Sequence, residues 1–175
     1  SLGAEVPFRR PAELAQDTSP KWPVFQHLVG TLERREGSRV EVLADLDVAA
    51  PLRAPEDITR CVEKLHATEA DVVITAYEPE RNPYFNMVEY DGEFARVVSR
   101  SRSPITRRQD APRVYSLSPA VFAMKRDFLM RAGHWSEGRV HVVEVPRERG
   151  LDIDSELDLA FAEFLLSARA GGGGA

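Results

Sequence analysis

The stretch PEDITRCVEKLHATEADVVITAY, residues 55–77, holds a helix and a buried strand in tandem. Pro55 suits a first helical turn, because its missing N–H would have no intrahelical partner there. Glu56 and Asp57 fall where the helix dipole is positive. Ile58, Cys61, Val62 and Leu65 then recur at i, i+3, i+4 and i+7, which makes one apolar stripe. Asp71–Tyr77 follows as a strand, its Val72-Val73-Ile74 run continuous and β-branched. A helix that feeds a buried strand is the unit of a layered α/β domain.

The flanks extend the pattern. Residues 1–22 contain Pro7, Pro11 and Pro20 and read as a loop with one short turn at Ala12–Ala15. A helix starts at Pro23, carries Val24, Phe25, Leu28, Val29 and Leu32 on one face, and stops near Gly37. Val40–Val48 reads as a strand interrupted by Asp45 and Asp47 and broken by Pro51-Leu52-Arg53. Downstream, Phe85–Val98 predicts a hairpin turning on Asp91-Gly92. An arginine-rich polar loop covers residues 99–113. Val121–Met124 predicts a short strand, Arg126–Arg131 a short helix and Val140–Val145 a further strand. In the last helix, Ser155 and Asp158 make a capping-box-like start, and Leu157, Phe161, Phe164, Leu165 and Ala168 form the face expected to pack. The expectation is a three-layer α/β/α domain over residues 1–168, with a mostly parallel sheet, a hairpin excursion at about 82–113, and a flexible glycine-rich tail at 169–175. Ligands of such folds bind at the C-terminal ends of the strands.

Composition narrows the function classes. The 175 residues include 23 Lys+Arg against 28 Asp+Glu, a net charge of −5. That balance argues against a general nucleic-acid binder. The single cysteine, Cys61, excludes a disulfide framework and a cysteine-rich zinc site, and fits a reducing, cytoplasmic setting. The apolar runs are too short to span a bilayer, so no membrane association is expected.

Three segments carry candidate chemistry. The first is Leu151-Asp152-Ile153-Asp154. Alternate residues of an extended segment point the same way, so Asp152 and Asp154 project together while Ile153 faces the core. Paired carboxylates repel unless a cation or proton intervenes, and such oxygen donors suit magnesium or manganese. The competing reading is that Asp154 caps the following helix and Asp152 is solvated. The second is Thr106-Arg107-Arg108-Gln109, preceded by Arg100 and Arg102, which is either a solvated basic loop or a fork for phosphate or carboxylate. RNA is a third possible target, although the loop lacks interleaved aromatics. The third segment runs from Asp47 to Arg53 at a strand's C-terminal end. Asp47 needs a partner there, and Arg53 meets either a phosphate or Asp57. His27, His66, His134 and His141 show no metal-ligand spacing, and Ser19, Ser99 and Ser118 sit in no nucleophile motif.

Read in order, five pieces resemble the acylneuraminate cytidylyltransferases, the CMP-sialic acid synthetases. They are Pro7-Phe8-Arg9-Arg10-Pro11-Ala12-Glu13-Leu14-Ala15-Gln16-Asp17, then Leu46-Asp47-Val48-Ala49-Ala50-Pro51-Leu52-Arg53, then Asn82-Pro83-Tyr84-Phe85-Asn86-Met87-Val88-Glu89, then Arg107-Arg108-Gln109-Asp110-Ala111-Pro112, and last Asp152-Ile153-Asp154-Ser155-Glu156-Leu157-Asp158. Together they span about Gly3 to Leu166. The resemblance implies a Rossmann-like nucleotidyltransferase that joins CTP to an acidic nine-carbon sugar and releases pyrophosphate. It implies Asp152 and Asp154 as ligands of Mg2+ or Mn2+, with Arg108 beside them in catalysis. Arg10, Ser19 and Arg53 would face the nucleotide. Asp47, Asn86, Arg108 and Gln109 would line the sugar side. It further implies a homodimer formed through the hairpin region.

The chain also departs from the family's pattern. The family begins with a strand and an Ala-Arg-Gly-Gly-Ser-Lys-like loop that wraps the triphosphate, and nothing like it occurs here. The resemblance therefore implies a start after the family's first two strands, with weak or absent turnover by this chain alone. Ala49 stands where the family often has Thr, and Ser118-Pro119 where it has Asn followed by a small residue; both bear on sugar choice. The alternative function is a non-catalytic sugar-binding or partner subunit derived from this family.

Overall fold

The computed structural model describes residues 3–101 and 103–171. Arg102 and the predicted tail beyond Gly171 lie outside them. Four helices and six strands are formed by the described residues: α1 (Lys21–Glu36), β1 (Val42–Asp45), α2 (Pro55–Ala67), β2 (Val72–Tyr77), β3 (Val88–Asp91), β4 (Phe94–Val97), β5 (Ser116–Lys125), α3 (Arg126–Arg131), β6 (Val140–Glu144) and α4 (Glu156–Gly171).

The punctuation residues act as their chemistry requires. Gly37 ends α1 in the left-handed region, φ 66°, and its N–H donates to the Glu33 carbonyl at 3.0 Å. Pro55 opens α2, and the Asp57 carboxylate reaches back to the Ala54 N–H at 2.9 Å. The turn at Ala12–Leu14 is a single 3-10 turn.

The main sheet has the order β1-β5-β2-β6. β5 pairs antiparallel with both β1 and β2, while β2 and β6 pair in parallel. β1, β2 and β6 therefore share one direction and β5 alone opposes them, so the sheet is mostly parallel in strand direction. α1 and α3 cover one face, where Trp22, Val29, Val72, Ile74, Met124, Phe128 and Leu129 close a core. α2 covers the other, with Cys61 and Leu65 against Val73, Val121 and Val143. The Trp22 indole N–H donates to the Ala132 carbonyl at 2.6 Å, which pins α1 to the end of α3.

Five expectations need correction. The central strand is not confined to Val121–Met124: β5 begins at Ser116. Pro119 hides this extension, since proline cannot donate to a ladder. The pairing adapts by a register shift, with Ile74 opposite Phe122 but Ala76 opposite Leu117. Across the gap, the buried Thr75 hydroxyl accepts from the Val121 N–H at 3.0 Å and lies 3.1 Å from the Ser118 carbonyl. Strand β1 is also shorter than Val40–Val48, because the chain leaves the ladder after Asp45. The hairpin loop is Gly92-Glu93 rather than Asp91-Gly92, since Asp91 still pairs with Phe94. Gly92, at φ 70°, supplies the positive dihedral such a loop needs. Finally, α4 does not bury its Leu157–Phe161–Phe164 stripe: these side chains are 78%, 48% and 65% exposed, while Ala162 is buried. An apolar stripe shows that a face is apolar, not that a partner lies against it. The helix continues through Gly171, beyond the tail boundary drawn at residue 169.

Asp71 supplies a test of the sheet entrance. Its Oδ2 accepts from the Arg139 backbone N–H at 3.0 Å and from Arg139 Nε at 3.3 Å, so it ties β2 to the start of β6. Those bonds, the backbone one foremost, hold its carboxyl below the ordinary value of 3.8. A depressed folded value stabilises the protein above the unfolded one, and the gain is lost as pH falls through the folded value. Asp71→Asn should cost about 1–2 kcal/mol at pH 7. Urea unfolding should show the gap between the two proteins closing as pH falls below the carboxylate range.

Candidate active site

The residues singled out by sequence fall into two groups. The first gathers where β1 ends. Beyond Asp45 the chain turns through Asp47, whose N–H donates to the Pro119 carbonyl at 3.3 Å and whose Oδ1 accepts from the Ala49 N–H at 3.1 Å. Arg53 Nη1 donates to the Asp47 carbonyl at 2.6 Å and to the Ala120 carbonyl at 3.2 Å. Neither sequence reading of Arg53 describes this. It does not pair with Asp57, and this end of its guanidinium braces the turn carrying Asp47.

The acidic segment docks on the same turn. The Ile153 N–H donates to the Ala49 carbonyl at 2.9 Å, which brings Asp152 within reach of the Asp47 charge. Ile153 is half-buried rather than part of the core. Just upstream lies a 3-10 turn, Arg147–Gly150. Gly150 is required there, because a Cβ would stand 2.6 Å from Cδ1 of Tyr77. Behind this turn, Arg149 Nη2 lies 3.5 Å from Oδ1 of the fully buried Asp57.

The capping alternative for Asp154 fails on geometry. The Asp158 N–H donates to the Ser155 hydroxyl at 3.3 Å, and that hydroxyl donates to Asp158 Oδ2 at 2.6 Å. Ser155 therefore caps α4 and leaves the Asp154 carboxylate outside the cap. Asp152 Oδ1 is buried without a hydrogen-bond partner. Burial pushes the Asp152 carboxyl up; the charges of Asp154 and Asp47 add to this, and Lys21 opposes it. A buried orphan oxygen facing like charges is a place that a cation would relieve.

A cage of three or more His, Cys, Asp or Glu side chains is absent among the described residues. Magnesium sites need only one or two carboxylates when substrate phosphates and water complete the shell. Asp152 and Asp154 fit such a role.

Sequence reasoning missed Lys21 and Asp45. The Lys21 ammonium hydrogen-bonds Asp47 and lies 3.8 Å from Asp45 Oδ2. The Asp47 bond raises the lysine and lowers the Asp47 carboxyl, whereas burial raises Asp45. These contacts join residues 24 and 26 positions apart, and no local pattern signals them.

The second group lies at the base of the hairpin. Arg108 Nη2 donates to the carbonyls of Pro79 (3.2 Å) and Glu80 (2.7 Å). Arg108 and Gln109 line a groove of about 200 Å³ with Asn82, Glu78 and Arg113. Asn86 Oδ1 accepts from the Asn82 N–H at 2.7 Å, so Asn86 shapes the loop beside that groove. The Glu80 carboxylate meets Arg147 Nη1 at 2.5 Å, in the 3-10 turn upstream of the acidic segment. Two predicted nucleotide residues stand apart in the N-terminal loop. Arg10 is exposed, and the Ser19 hydroxyl helps close the loop, accepting from the Gln16 N–H at 3.1 Å. Ser118 is fully buried in β5.

No family model matches the chain. It is 36% identical over 167 residues to a CMP-N,N'-diacetyllegionaminic acid synthase of Campylobacter jejuni, covering 95% of this chain and 70% of that protein. It is 26% identical over 157 residues to an N-acylneuraminate cytidylyltransferase of Streptococcus agalactiae, covering 89% of this chain and 36% of that one. A CMP:2-keto-3-deoxy-manno-octonic acid synthetase solved with CTP superposes with a TM-score of 0.54 at 13% identity, over 87% of this chain and 70% of that chain, which shows the fold. Taken with the acidic segment and the turn it docks on, these similarities show that the chain belongs to the acylneuraminate cytidylyltransferase family.

Proposed function

We propose that this protein transfers CMP from CTP to an acidic nine-carbon sugar of the nonulosonic class, releasing pyrophosphate. The observation that carries the reading is the buried, unpartnered Oδ1 of Asp152, which feels the Asp154 charge and lies on a segment docked to the Asp47 turn by the Ile153–Ala49 hydrogen bond. The relatives supply the substrate class: one is named for CMP-N,N'-diacetyllegionaminic acid and another for N-acylneuraminate.

The chemistry asks for alignment and charge neutralisation more than covalent participation. The sugar's anomeric hydroxyl attacks the α-phosphorus as the bond to the β-phosphate breaks. A divalent ion, Mg2+ in the cell, polarises phosphate oxygens when bound. Asp152 and Asp154 would hold that ion. Arg53 keeps the Asp47 turn rigid beneath the nucleotide. The Arg108 donors left over from its two carbonyl bonds face the sugar carboxylate, with Gln109 and Asn86 along the same wall. Arg10 and Ser19 are assigned to the nucleotide side through the N-terminal loop.

The hairpin is the proposed seam with a second copy, because Val88, Tyr90 and Phe94 are 65%, 82% and 74% exposed on it. The need for CTP and the inert, buried Cys61 thiol, pushed up to about 12 by burial, fit the cytoplasm. No helix of the described residues is long and apolar enough to cross a membrane.

The test is product formation. The protein from the complete reading frame is incubated with CTP, Mg2+ and a panel of nonulosonic acids, and pyrophosphate and CMP-sugar are followed by coupled assay and mass spectrometry. At least one acidic nine-carbon sugar is expected to yield its CMP derivative. CTP left intact with every sugar would refute the assignment.

A further inference from the structure

Lys21 is the first residue of α1, where a positive charge meets the positive end of the helix dipole. The first turn of α1 holds no acidic residue, and Pro20 provides no side-chain cap. Helix stability therefore does not explain a lysine at this position. What Lys21 faces does: its ammonium hydrogen-bonds Asp47, lies 3.8 Å from Asp45, and is close enough to Asp152 for the charges to act on one another.

The three acidic groups near Lys21 are engaged unevenly. Asp47 is engaged on both oxygens, by Lys21 on Oδ2 and by the Ala49 N–H on Oδ1. Asp45 shares the lysine. Asp152 Oδ1 has no partner. Without the ammonium, Asp45 and Asp47 would lose their nearest counter-charge, Asp47 keeping only the Ala49 N–H and the more distant Arg53 charge, and a divalent ion could settle on that pair instead.

Resting on the cation-site reading above, we propose that Lys21 is a positioning residue, a tethered cation that occupies Asp45 and Asp47. It thereby confines the divalent ion to Asp152 and Asp154, moderates that ion's affinity, and draws in the triphosphate. The two ligands respond oppositely to it: a fixed positive charge repels the metal ion and attracts the nucleotide.

The experiment compares the wild-type chain with Lys21→Met and Lys21→Arg. Mn2+ uptake is titrated by electron paramagnetic resonance without nucleotide, and CTP is then titrated by calorimetry at saturating Mn2+. Lys21→Met should bind Mn2+ more tightly and CTP more weakly, each by roughly tenfold, and Lys21→Arg should return both to near the wild-type values. Opposite shifts are not the signature of a merely structural residue, whose loss weakens both. The side chain is 62% exposed, so the variants should fold, and circular dichroism checks this. Unchanged or weaker Mn2+ binding in Lys21→Met, with wild-type binding intact, overturns the role of Lys21 alone. A wild-type chain that takes up no Mn2+ overturns the cation-site reading and this inference together.

Discussion

Asp152→Asn and Asp154→Asn are each expected to lower CMP transfer by about a thousandfold, the equivalent of roughly 4 kcal/mol of lost charge stabilisation. Neither should destabilise the fold. Asparagine keeps the shape of each side chain and removes the repulsion that Asp152 suffers from Asp154 and Asp47. Thermal unfolding should therefore show Asp152→Asn at least as stable as the wild type. The rival reading of Asp154 as a helix cap predicts the reverse, with activity kept and about 1 kcal/mol of stability lost. Ser155 already holds the capping position, so that loss belongs to Ser155→Ala instead. Measuring stability and turnover on the same preparations separates the two readings.

Asp57→Ala is expected to have the opposite profile, with a large stability loss and a smaller functional one. The carboxylate is fully buried, holds the Ala54 N–H at the start of α2, and faces Arg149 at 3.5 Å and Arg60 at 3.8 Å. Truncation leaves a buried N–H unpaired and strips Arg149 of its counter-charge. Removing one member of such a pair costs about 3 kcal/mol, or about 6–12 °C in Tm for a chain of this size. Arg149 lies three residues before Asp152, so the acidic segment should loosen and Mn2+ affinity fall by a few-fold. Asp57→Asn, which keeps an acceptor for the Ala54 N–H, should lose about half as much stability. Equal losses for the two variants would place the effect in the Arg149 charge rather than in the cap.

What could be read from sequence follows from how far apart the interacting residues lie. Helix bounds depend on neighbours, and Pro55, Gly37 and Ser155 marked three of them within a residue or two. Alternation, a local property, singled out Asp152 and Asp154 as candidates. The extension of β5 was not, because its bonds are restored across Pro119 by Thr75, a residue 44 positions earlier. Lys21 and Asp45 were invisible for the same reason: their meeting depends on how α1 lies over the end of β1. Arg53 and Ser19 show the converse. Arginine suits phosphate and the family resemblance places Ser19 by the nucleotide, but the bonds both side chains make to nearby backbone groups could not be read from the sequence. The exposed stripe of α4 adds a related lesson, since periodicity reports the chemistry of a face and not its occupant.

A divalent cation held by Asp152 and Asp154, proposed above, can be located directly. The most direct measurement is anomalous diffraction from crystals of the protein grown with Mn2+ and CTP. The account predicts a single manganese peak within coordination distance of a carboxylate oxygen of Asp152 or Asp154, with Lys21 still against Asp47. A peak on Asp45 and Asp47 with Lys21 displaced, or nucleotide bound with no manganese at the acidic segment, would contradict it.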